Sequence, residues 1–164
     1  MTLRPVTGQG LIFFEDLEEG AVITGPGMTI SETHLIGWAG LTGDLVSLHL
    51  DEEYAAESPF GRRVAAGPLT MALAMGLLTQ TGIFGNVRAW LGVDAVRALA
   101  PVYIGDTIRP EAVLVGAADT KRPDQGVWTL EYTVRNQRNE VVMTFISRKL
   151  IFRRTPREAA AHAG

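Results

Sequence analysis

Residues 67–78 form the most informative segment of the chain and read Gly67-Pro68-Leu69-Thr70-Met71-Ala72-Leu73-Ala74-Met75-Gly76-Leu77-Leu78. Proline is favoured in the first turn of a helix and glycine just after its end, so Pro68 and Gly82 predict the limits of a helix. This helix is apolar on nearly every side and therefore has to be enclosed by protein all round. Because its apolar run is much shorter than the roughly twenty residues that cross a bilayer, we expect a core helix and no membrane partner.

The second half of the chain carries the pattern of a sheet that can enclose this helix. Apolar and polar residues alternate with a period of two along Trp128, Thr129, Leu130, Glu131, Tyr132, Thr133, Val134 and Arg135. A hairpin turn at residues 136–139 connects this strand to the next. The other expected strands are residues 141–152, 108–115, 89–102 and a short one at 22–30.

These elements predict an α+β architecture, the hotdog fold, in which an antiparallel sheet of about five strands wraps around a central apolar helix. Two short helices are expected before the central one. Ser31 is placed to cap a helix that ends at Gly40. Asp51 is placed to cap the other, which must end before Pro59 because the residue preceding a proline avoids the helical conformation.

Length and composition indicate a single globular domain. We place it at residues 1–164, with a core at about residues 11–154 and a flexible C-terminal tail over residues 157–164. With 46% hydrophobic and 20% charged residues, the composition excludes an intrinsically disordered chain. The net charge of −3 argues against nucleic acid as a partner, because proteins that bind the phosphate backbone carry a basic excess.

The absence of cysteine removes several chemistries together. Disulfide frameworks, thiolate-bound zinc, iron–sulfur clusters and a thiol nucleophile are all excluded. The sequence also lacks a nucleophile elbow, a glycine-rich phosphate loop and a His-Glu-x-x-His metal motif. Residues 1–10 have no apolar segment of the kind that secretory signals carry, so we expect a cytoplasmic protein.

Histidine is the side chain best suited to proton transfer at neutral pH, and the chain has three. We expect His34 and His162 to be solvated. His49 differs, since it follows Asp44 by five residues in an irregular link where a carboxylate and an imidazole can hold one water molecule between them. The alternative is structural: Asp44 stabilises the turn after Gly43 while His49 packs under the next helix. Local sequence alone leaves both open and favours the structural one.

Gly67 is the other candidate site residue. Amide groups at a helix N-terminus lack partners within the helix and carry its positive end, so they can stabilise a developing negative charge such as that on a thioester oxygen. A glycine there lets a ligand approach the backbone closely. The alternative is an ordinary glycine cap at the start of the helix. A metal site at Asp44 and His49 is not expected, since further ligands are not evident.

Several segments, in order along the chain, together resemble one known family. They are Phe14-Glu15-Asp16-Leu17, then Trp38-Ala39-Gly40-Leu41-Thr42-Gly43-Asp44, then His49, Asp51 and Ala55, then Phe60-Gly61-Arg62-Arg63-Val64-Ala65-Ala66-Gly67, and finally Pro101-Val102-Tyr103-Ile104-Gly105-Asp106-Thr107. The central segments resemble the hydratase motif of MaoC-like dehydratases and (R)-specific enoyl-CoA hydratases.

The resemblance implies a hydro-lyase that reversibly adds water to a 2-enoyl-CoA thioester to give a 3-hydroxyacyl-CoA. It implies that Asp44 and His49 bind the water and that the Gly67 amide holds the thioester oxygen. It also implies a hotdog fold, an acyl-CoA substrate in a tunnel at or near a subunit interface, and a homodimer or a higher even-numbered homo-oligomer. No cofactor and no metal are implied.

The chain departs from the family pattern beside the expected site. Val46 and Ser47 stand where asparagine and proline are usual, and Ala66 stands where histidine is frequent. These departures keep two alternatives open: a hotdog acyl-CoA thioesterase, and a hotdog protein that binds acyl thioesters without turnover. Arg62 and Arg63 are candidates for contacts with the phosphates of CoA, although exposed arginines are usually only solubilising. The acyl pocket is expected to be shaped by Met71, Met75 and Trp90.

Overall fold

The computed structural model describes residues 12–157 of the chain. Predictions that concern residues 1–10 and the tail beyond Arg157, including His162, lie outside the described residues. Within residues 12–157, no helix is both long enough and apolar enough to cross a membrane. The cytoplasmic location stays a prediction of the sequence.

In the described part of the chain, one antiparallel sheet of six strands supplies most of the architecture. The strand order is β1-β4-β5-β6-β3, and β2 also pairs with β4. The bounds are β1 Val22–Thr24, β2 Met28–Thr29, β3 Val87–Ala98, β4 Thr107–Asp119, β5 Gln125–Arg135 and β6 Val141–Phe152. The predicted α+β class is confirmed, and β6 has the expected bounds.

The single strand expected at residues 22–30 is wrong, because the segment forms two short strands separated by Gly25, Pro26 and Gly27. Proline has no N–H for a strand ladder. The backbone at Gly25 passes so close to the core that a Cβ there would lie 2.8 Å from Cγ of Pro110. This close approach explains both the interruption and the sixth strand.

Four helices and one short 3-10 turn at Phe14–Asp16 precede the long strands in the described residues. They are α1 Glu32–Thr42, α2 Ser47–Leu50, α3 Glu52–Ala56 and α4 Gly67–Thr79. Helix α1 continues past the expected end at Gly40 and stops at Gly43, whose φ of +76° is the left-handed conformation that favours glycine. As predicted, Asp51 caps α3, its Oδ1 accepting a hydrogen bond of 3.1 Å from the Tyr54 N–H. Helix α2 was not predicted.

The central helix α4 packs against one face of the sheet, with only one of its own sides in the core. The buried side consists of Leu69, Thr70, Ala74, Leu77 and Leu78. It belongs to a core cluster whose sheet residues include Leu114, Trp128, Leu130, Tyr132 and Phe145. Pro68, Ala72, Gly76 and Thr79 are exposed on the other side. The expectation that protein encloses α4 all round is therefore wrong within one chain, because a single sheet covers only one face of it.

Strand β3 is the irregular edge of this sheet. Among the described residues it pairs with β6 alone, and three register shifts interrupt that pairing. The expected strand at residues 89–102 therefore begins earlier, at Val87, and ends earlier, at Ala98. Just beyond it, the N–H groups of Leu99 and Ala100 still donate to the Val142 carbonyl of β6. Farther on, the Val102 carbonyl accepts a hydrogen bond of 2.8 Å from the Ala65 N–H. This contact brings the segment after β3 against the loop that precedes α4.

Candidate active site

A cleft of about 340 Å³ opens where α2, the loop before α4 and the segment after β3 meet. His49 and Gly67 both line it, together with largely apolar neighbours that include Phe60, Val64 and Met143. These residues are far apart in sequence. The antiparallel register of β3 and β6 pairs Ala98 with Met143, and this pairing brings Met143 and the segment after β3 together at the cleft.

His49 is held in one orientation by the backbone. Its Nδ1 lies 2.7 Å from the Val64 carbonyl oxygen, which can only accept, so Nδ1 carries the proton. In the neutral ring Nε2 is then unprotonated, and no protein group within residues 12–157 hydrogen-bonds it. The hydrogen bond from Nδ1 to the Val64 carbonyl fixes the tautomer of the imidazole, so its unprotonated Nε2 is available as a base in the cleft.

Gly67 is the first residue of α4, and Ala66 is its N-cap. Within the described residues, the Gly67 N–H donates to no protein acceptor, and Pro68 beside it has no N–H. A Cβ at this position would lie 4.0 Å from Cε of Met143, which is an ordinary contact, so the packing of the chain itself does not require glycine. The free amide at the positive end of a helix is a suitable donor for an oxyanion.

Asp44 lies in the turn after α1, outside the residues that line the cleft. Its Oδ2 accepts a hydrogen bond of 3.0 Å from Nε1 of Trp38, and its N–H donates to Oγ1 of Thr42 at 3.2 Å. Oδ1 has no hydrogen-bond partner in the described part of the chain, where no hydrogen bond or ion pair joins Asp44 to His49 either. The structure thus brings His49 and Gly67 to one cleft and ties Asp44 to an indole.

Trp38 is a residue of this site that sequence reasoning missed as a functional group. It is half-buried and packs against the hydrophobic core. The only available signal was its position six residues before Asp44, and that spacing leads to a contact only because Gly43 reverses the chain. A planar indole fixed in the core makes a rigid donor, so one carboxylate oxygen of Asp44 is held in place.

The link between Asp44 and His49 is ordered by backbone hydrogen bonds rather than by side chains. The Leu45 N–H donates to the Gly43 carbonyl at 2.9 Å, and the His49 N–H to the Val46 carbonyl at 3.0 Å. The Val46 side chain is exposed, and Ser47 simply begins α2. The loop therefore keeps a defined shape in this chain without the asparagine and proline that are usual in the family.

The remaining candidates have distinct surroundings. His34 is partly exposed, as expected for a helix face that touches solvent, and its Nδ1 accepts a hydrogen bond of 2.9 Å from the Ser31 N–H. Met71 and Met75 are half-buried on α4, while Trp90 is 55% exposed on the edge strand and donates to Oγ of Ser147 at 3.2 Å. In residues 12–157, no three His, Asp or Glu side chains converge as a metal ion would require.

Comparison with known proteins finds a matching family and several similar proteins. The model of the MaoC like domain family matches residues 14–136. The chain is 36% identical over 98 residues to 3-hydroxybutyryl-CoA dehydratase of Methylorubrum extorquens, a match that covers 60% of each protein. It is 31% identical over 112 residues to an (R)-specific enoyl-CoA hydratase of Rhodospirillum rubrum, covering 68% of this chain and 76% of that protein. The match to the MaoC protein of Klebsiella aerogenes, at 36% identity, covers 59% of this chain but 29% of that protein, so the chain spans less than two thirds of some of these relatives.

Solved structures agree with the architecture. A protein of Archaeoglobus described as a monoamine oxidase regulatory protein superimposes with a TM-score of 0.83 and 38% identity, over 88% of this chain and 96% of that one. A Mycobacterium tuberculosis protein described as a double hotdog fold superimposes with a TM-score of 0.78 and 24% identity, over 93% of this chain and 47% of that one. The predicted hotdog fold is thereby confirmed.

Proposed function

The chain belongs to the MaoC-like domain family, and from this membership we propose that it is a hydro-lyase that reversibly adds water to a 2-enoyl-CoA to give a 3-hydroxyacyl-CoA. One observation carries the proposal: a histidine with a free basic nitrogen and a free helix-terminal amide line the same cleft. Relatives named as a 3-hydroxybutyryl-CoA dehydratase and an (R)-specific enoyl-CoA hydratase support the same reaction in its two directions.

In the proposed reaction, Gly67 acts on the thioester. Its N–H donates to the carbonyl oxygen, where negative charge grows as the C2=C3 electron pair moves toward the carbonyl. A preorganised amide at a helix N-terminus stabilises this enolate more than it stabilises the neutral thioester. This difference in stabilisation lowers the barrier.

His49 and Asp44 share the proton transfers. Nε2 of His49 takes a proton from water as the water oxygen bonds to C3, and a proton is then delivered to C2, so the elements of one water molecule are added across the double bond. Asp44 lies outside the cleft lining, so its part in holding the water or returning the proton is proposed from its place in the motif; Trp38 holds its Oδ2 and leaves Oδ1 available. Dehydration follows the same steps in reverse.

We also propose that the active form is a homodimer, or a larger assembly with an even number of chains. The exposed side of α4 and the edge strand β3 both carry exposed apolar residues, Ala72 on the helix and Trp90, Leu91 and Val96 on the strand. A second copy packed there would supply the enclosure that α4 lacks in one chain. It would also complete the walls of an acyl pocket beside Met71 and Met75.

The test is to mix the purified chain with short and medium trans-2-enoyl-CoAs and follow the absorbance of the conjugated thioester. We expect absorbance to fall, and kcat/KM to drop by a factor of about 10²–10⁴ in His49→Gln and in Asp44→Asn. Gly67→Ala keeps the amide but inserts a methyl group where the thioester approaches, so we expect a loss of about 10².

The matched control is His34→Gln, which removes an imidazole engaged at the start of α1 and outside the cleft lining. Its activity should equal that of the unaltered chain. Absence of turnover with every enoyl-CoA, or full activity in Asp44→Asn, would contradict the proposal. Release of free thiol from saturated acyl-CoA would instead identify a thioesterase. No observation among the described residues favours that activity.

A further inference from the structure

Arg62 and Arg63 are adjacent in the loop that forms one wall of the cleft, but their side chains have different surroundings. Arg63 donates to both carboxylate oxygens of Glu32 and to one of Glu52, at 2.7 Å each. These hydrogen bonds raise the pKa of Arg63 further above its ordinary value. Because Nε and both terminal nitrogens are engaged, Arg63 joins the start of α1 to the start of α3 and has little capacity left for a ligand.

Arg62 has no such partners. Its guanidinium carbon lies 4.0 Å from the centroid of the Tyr103 ring, and within residues 12–157 no carboxylate is within ion-pair distance of it. A guanidinium stacked on an aromatic face keeps the N–H groups of its edge free to donate. The residue is exposed, so its charge is available from solvent.

The platform under Arg62 is itself held in place. Tyr103 forms an isolated antiparallel bridge with Val64, and its hydroxyl donates to the Phe60 carbonyl at 3.4 Å. Val64 and Phe60 both line the cleft, and each is two residues from Arg62, so the Cα of Arg62 lies within about 7 Å of either. Arg62 and Tyr103 are not themselves part of the cleft lining, but Tyr103 contacts Phe60, which is, so the stacked guanidinium borders the cleft that holds His49 and Gly67.

We infer that Arg62, stacked on Tyr103, is the binding site for a phosphate group of the substrate's CoA carrier, whereas Arg63 is a structural residue. The inference rests on the proposed function for the identity of the ligand. A phosphate accepts two parallel hydrogen bonds from a guanidinium edge. It would also be the negatively charged partner that Arg62 does not have among the described residues. The thioester would then enter the cleft while its nucleotide end stays at the rim.

Binding to the full chain, measured by isothermal titration calorimetry, tests this without requiring turnover. The probes are CoA, dephospho-CoA and pantetheine, the last of which carries no phosphate. We expect Arg62→Gln to weaken CoA binding about tenfold and to leave pantetheine binding unchanged. Dephospho-CoA identifies the group: an effect of Arg62→Gln that persists indicates the diphosphate, and one that vanishes indicates the 3′-phosphate.

Two further variants separate the roles of charge and stacking. Tyr103→Leu removes the platform and should weaken CoA binding about threefold, whereas Tyr103→Phe keeps the ring, loses only the hydrogen bond to the Phe60 carbonyl and should weaken binding less than Tyr103→Leu does. The charge control is Arg109→Gln, because Arg109 is an exposed arginine on β4 outside the cleft lining, and it should bind CoA like the unaltered chain.

The inference is overturned if the unaltered chain does not bind CoA, if Arg62→Gln binds it normally, or if the variant loses pantetheine binding equally. Failure of the proposed function gives a different result. The chain would then bind CoA in an Arg62-dependent way while hydrating no enoyl-CoA.

Discussion

At the scale of single residues, the hydrogen bond from Trp38 to Asp44 is the contact with the clearest functional consequence. Trp38→Phe keeps an aromatic ring in the core but removes the N–H that holds Oδ2. Because a hydrogen bond to a charged group contributes about 1.5–3 kcal/mol, we expect kcat for enoyl-CoA hydration to fall at least tenfold with little change in KM. Steady-state kinetics at neutral pH measures this.

A merely structural role for Trp38 would give a different result in a double-mutant cycle. If Trp38 acts through Asp44, adding Trp38→Phe to Asp44→Asn lowers the rate no further. Equal losses in the presence and absence of the Asp44 carboxylate would show that the indole contributes only to packing. Thermal unfolding of both single variants accompanies the kinetics, to establish that each is folded at the assay temperature.

At the scale of elements, Asp106 joins the turn before β4 to the hairpin between β5 and β6. Its buried carboxylate accepts hydrogen bonds from the Tyr103 N–H at 3.0 Å, from Nε2 of Gln137 at 2.6 Å and from Arg138 at 3.3 Å. Burial by itself would raise the pKa of Asp106. The hydrogen bonds from Gln137 and Tyr103 and the charge of Arg138 outweigh it and hold the pKa below its ordinary value.

The depressed pKa of Asp106 predicts a specific dependence of stability on pH. The charged carboxylate stabilises the fold fully above the unfolded-state pKa of about 3.9, and this stabilisation is lost as pH falls through the lower folded-state value. Asp106→Asn places an NH2 group either against the Tyr103 N–H or against the donors of Gln137 and Arg138, so we expect a loss of about 1–3 kcal/mol in unfolding free energy at pH 7. Urea unfolding at pH 7, 4 and 3 should show that the difference in unfolding free energy between the unaltered chain and Asp106→Asn becomes smaller as the pH falls.

The control for this prediction is Glu111→Gln, at a half-buried position of β4, whose effect should be small at every pH. A difference between Asp106→Asn and the unaltered chain that stays constant down to pH 3 would show that the carboxylate charge does not contribute.

At the scale of the whole molecule, the exposed side of α4 predicts self-association. Ala72→Glu places a charge in the middle of that side, where one chain alone leaves it in solvent. We expect light scattering to give two or a larger even number of chain masses for the unaltered protein and a smaller mass for the variant, with hydration activity reduced in parallel. The physical reason is the cost of burying an unpaired carboxylate at an interface.

Ala118→Glu is the matched control, since it makes the same change at an exposed position near the end of β4. It should leave the mass of the assembly unchanged. An unaltered assembly in Ala72→Glu would mean that another surface of the chain forms the contact, and a single chain mass for the unaltered protein would contradict the proposed dimer.

Much of the fold could be predicted because it depends on patterns within a few residues. Alternation along residues 128–135 identified β5, the polar turn identified the hairpin, and the apolar run after Gly67 identified α4. The errors occurred where two local signals compete. Gly40 and Gly43 are both plausible ends for α1, and only the turn toward Asp44 selects the second. Pro26 divides a segment whose residues otherwise suit one strand.

The sequence alone determined the helix-in-sheet architecture and nominated Asp44, His49 and Gly67, because periodicity and motif spacing are properties of the chain itself. Only the tertiary structure decided that Val64 fixes the His49 tautomer, that Trp38 holds Asp44, and that, within residues 12–157, Arg63 is paired with carboxylates while Arg62 is not. Each of those contacts depends on a turn or on segments brought together by the fold. Neighbours in sequence such as Arg62 and Arg63 can therefore differ completely in surroundings, since a side chain's partners are set by the packing of distant elements.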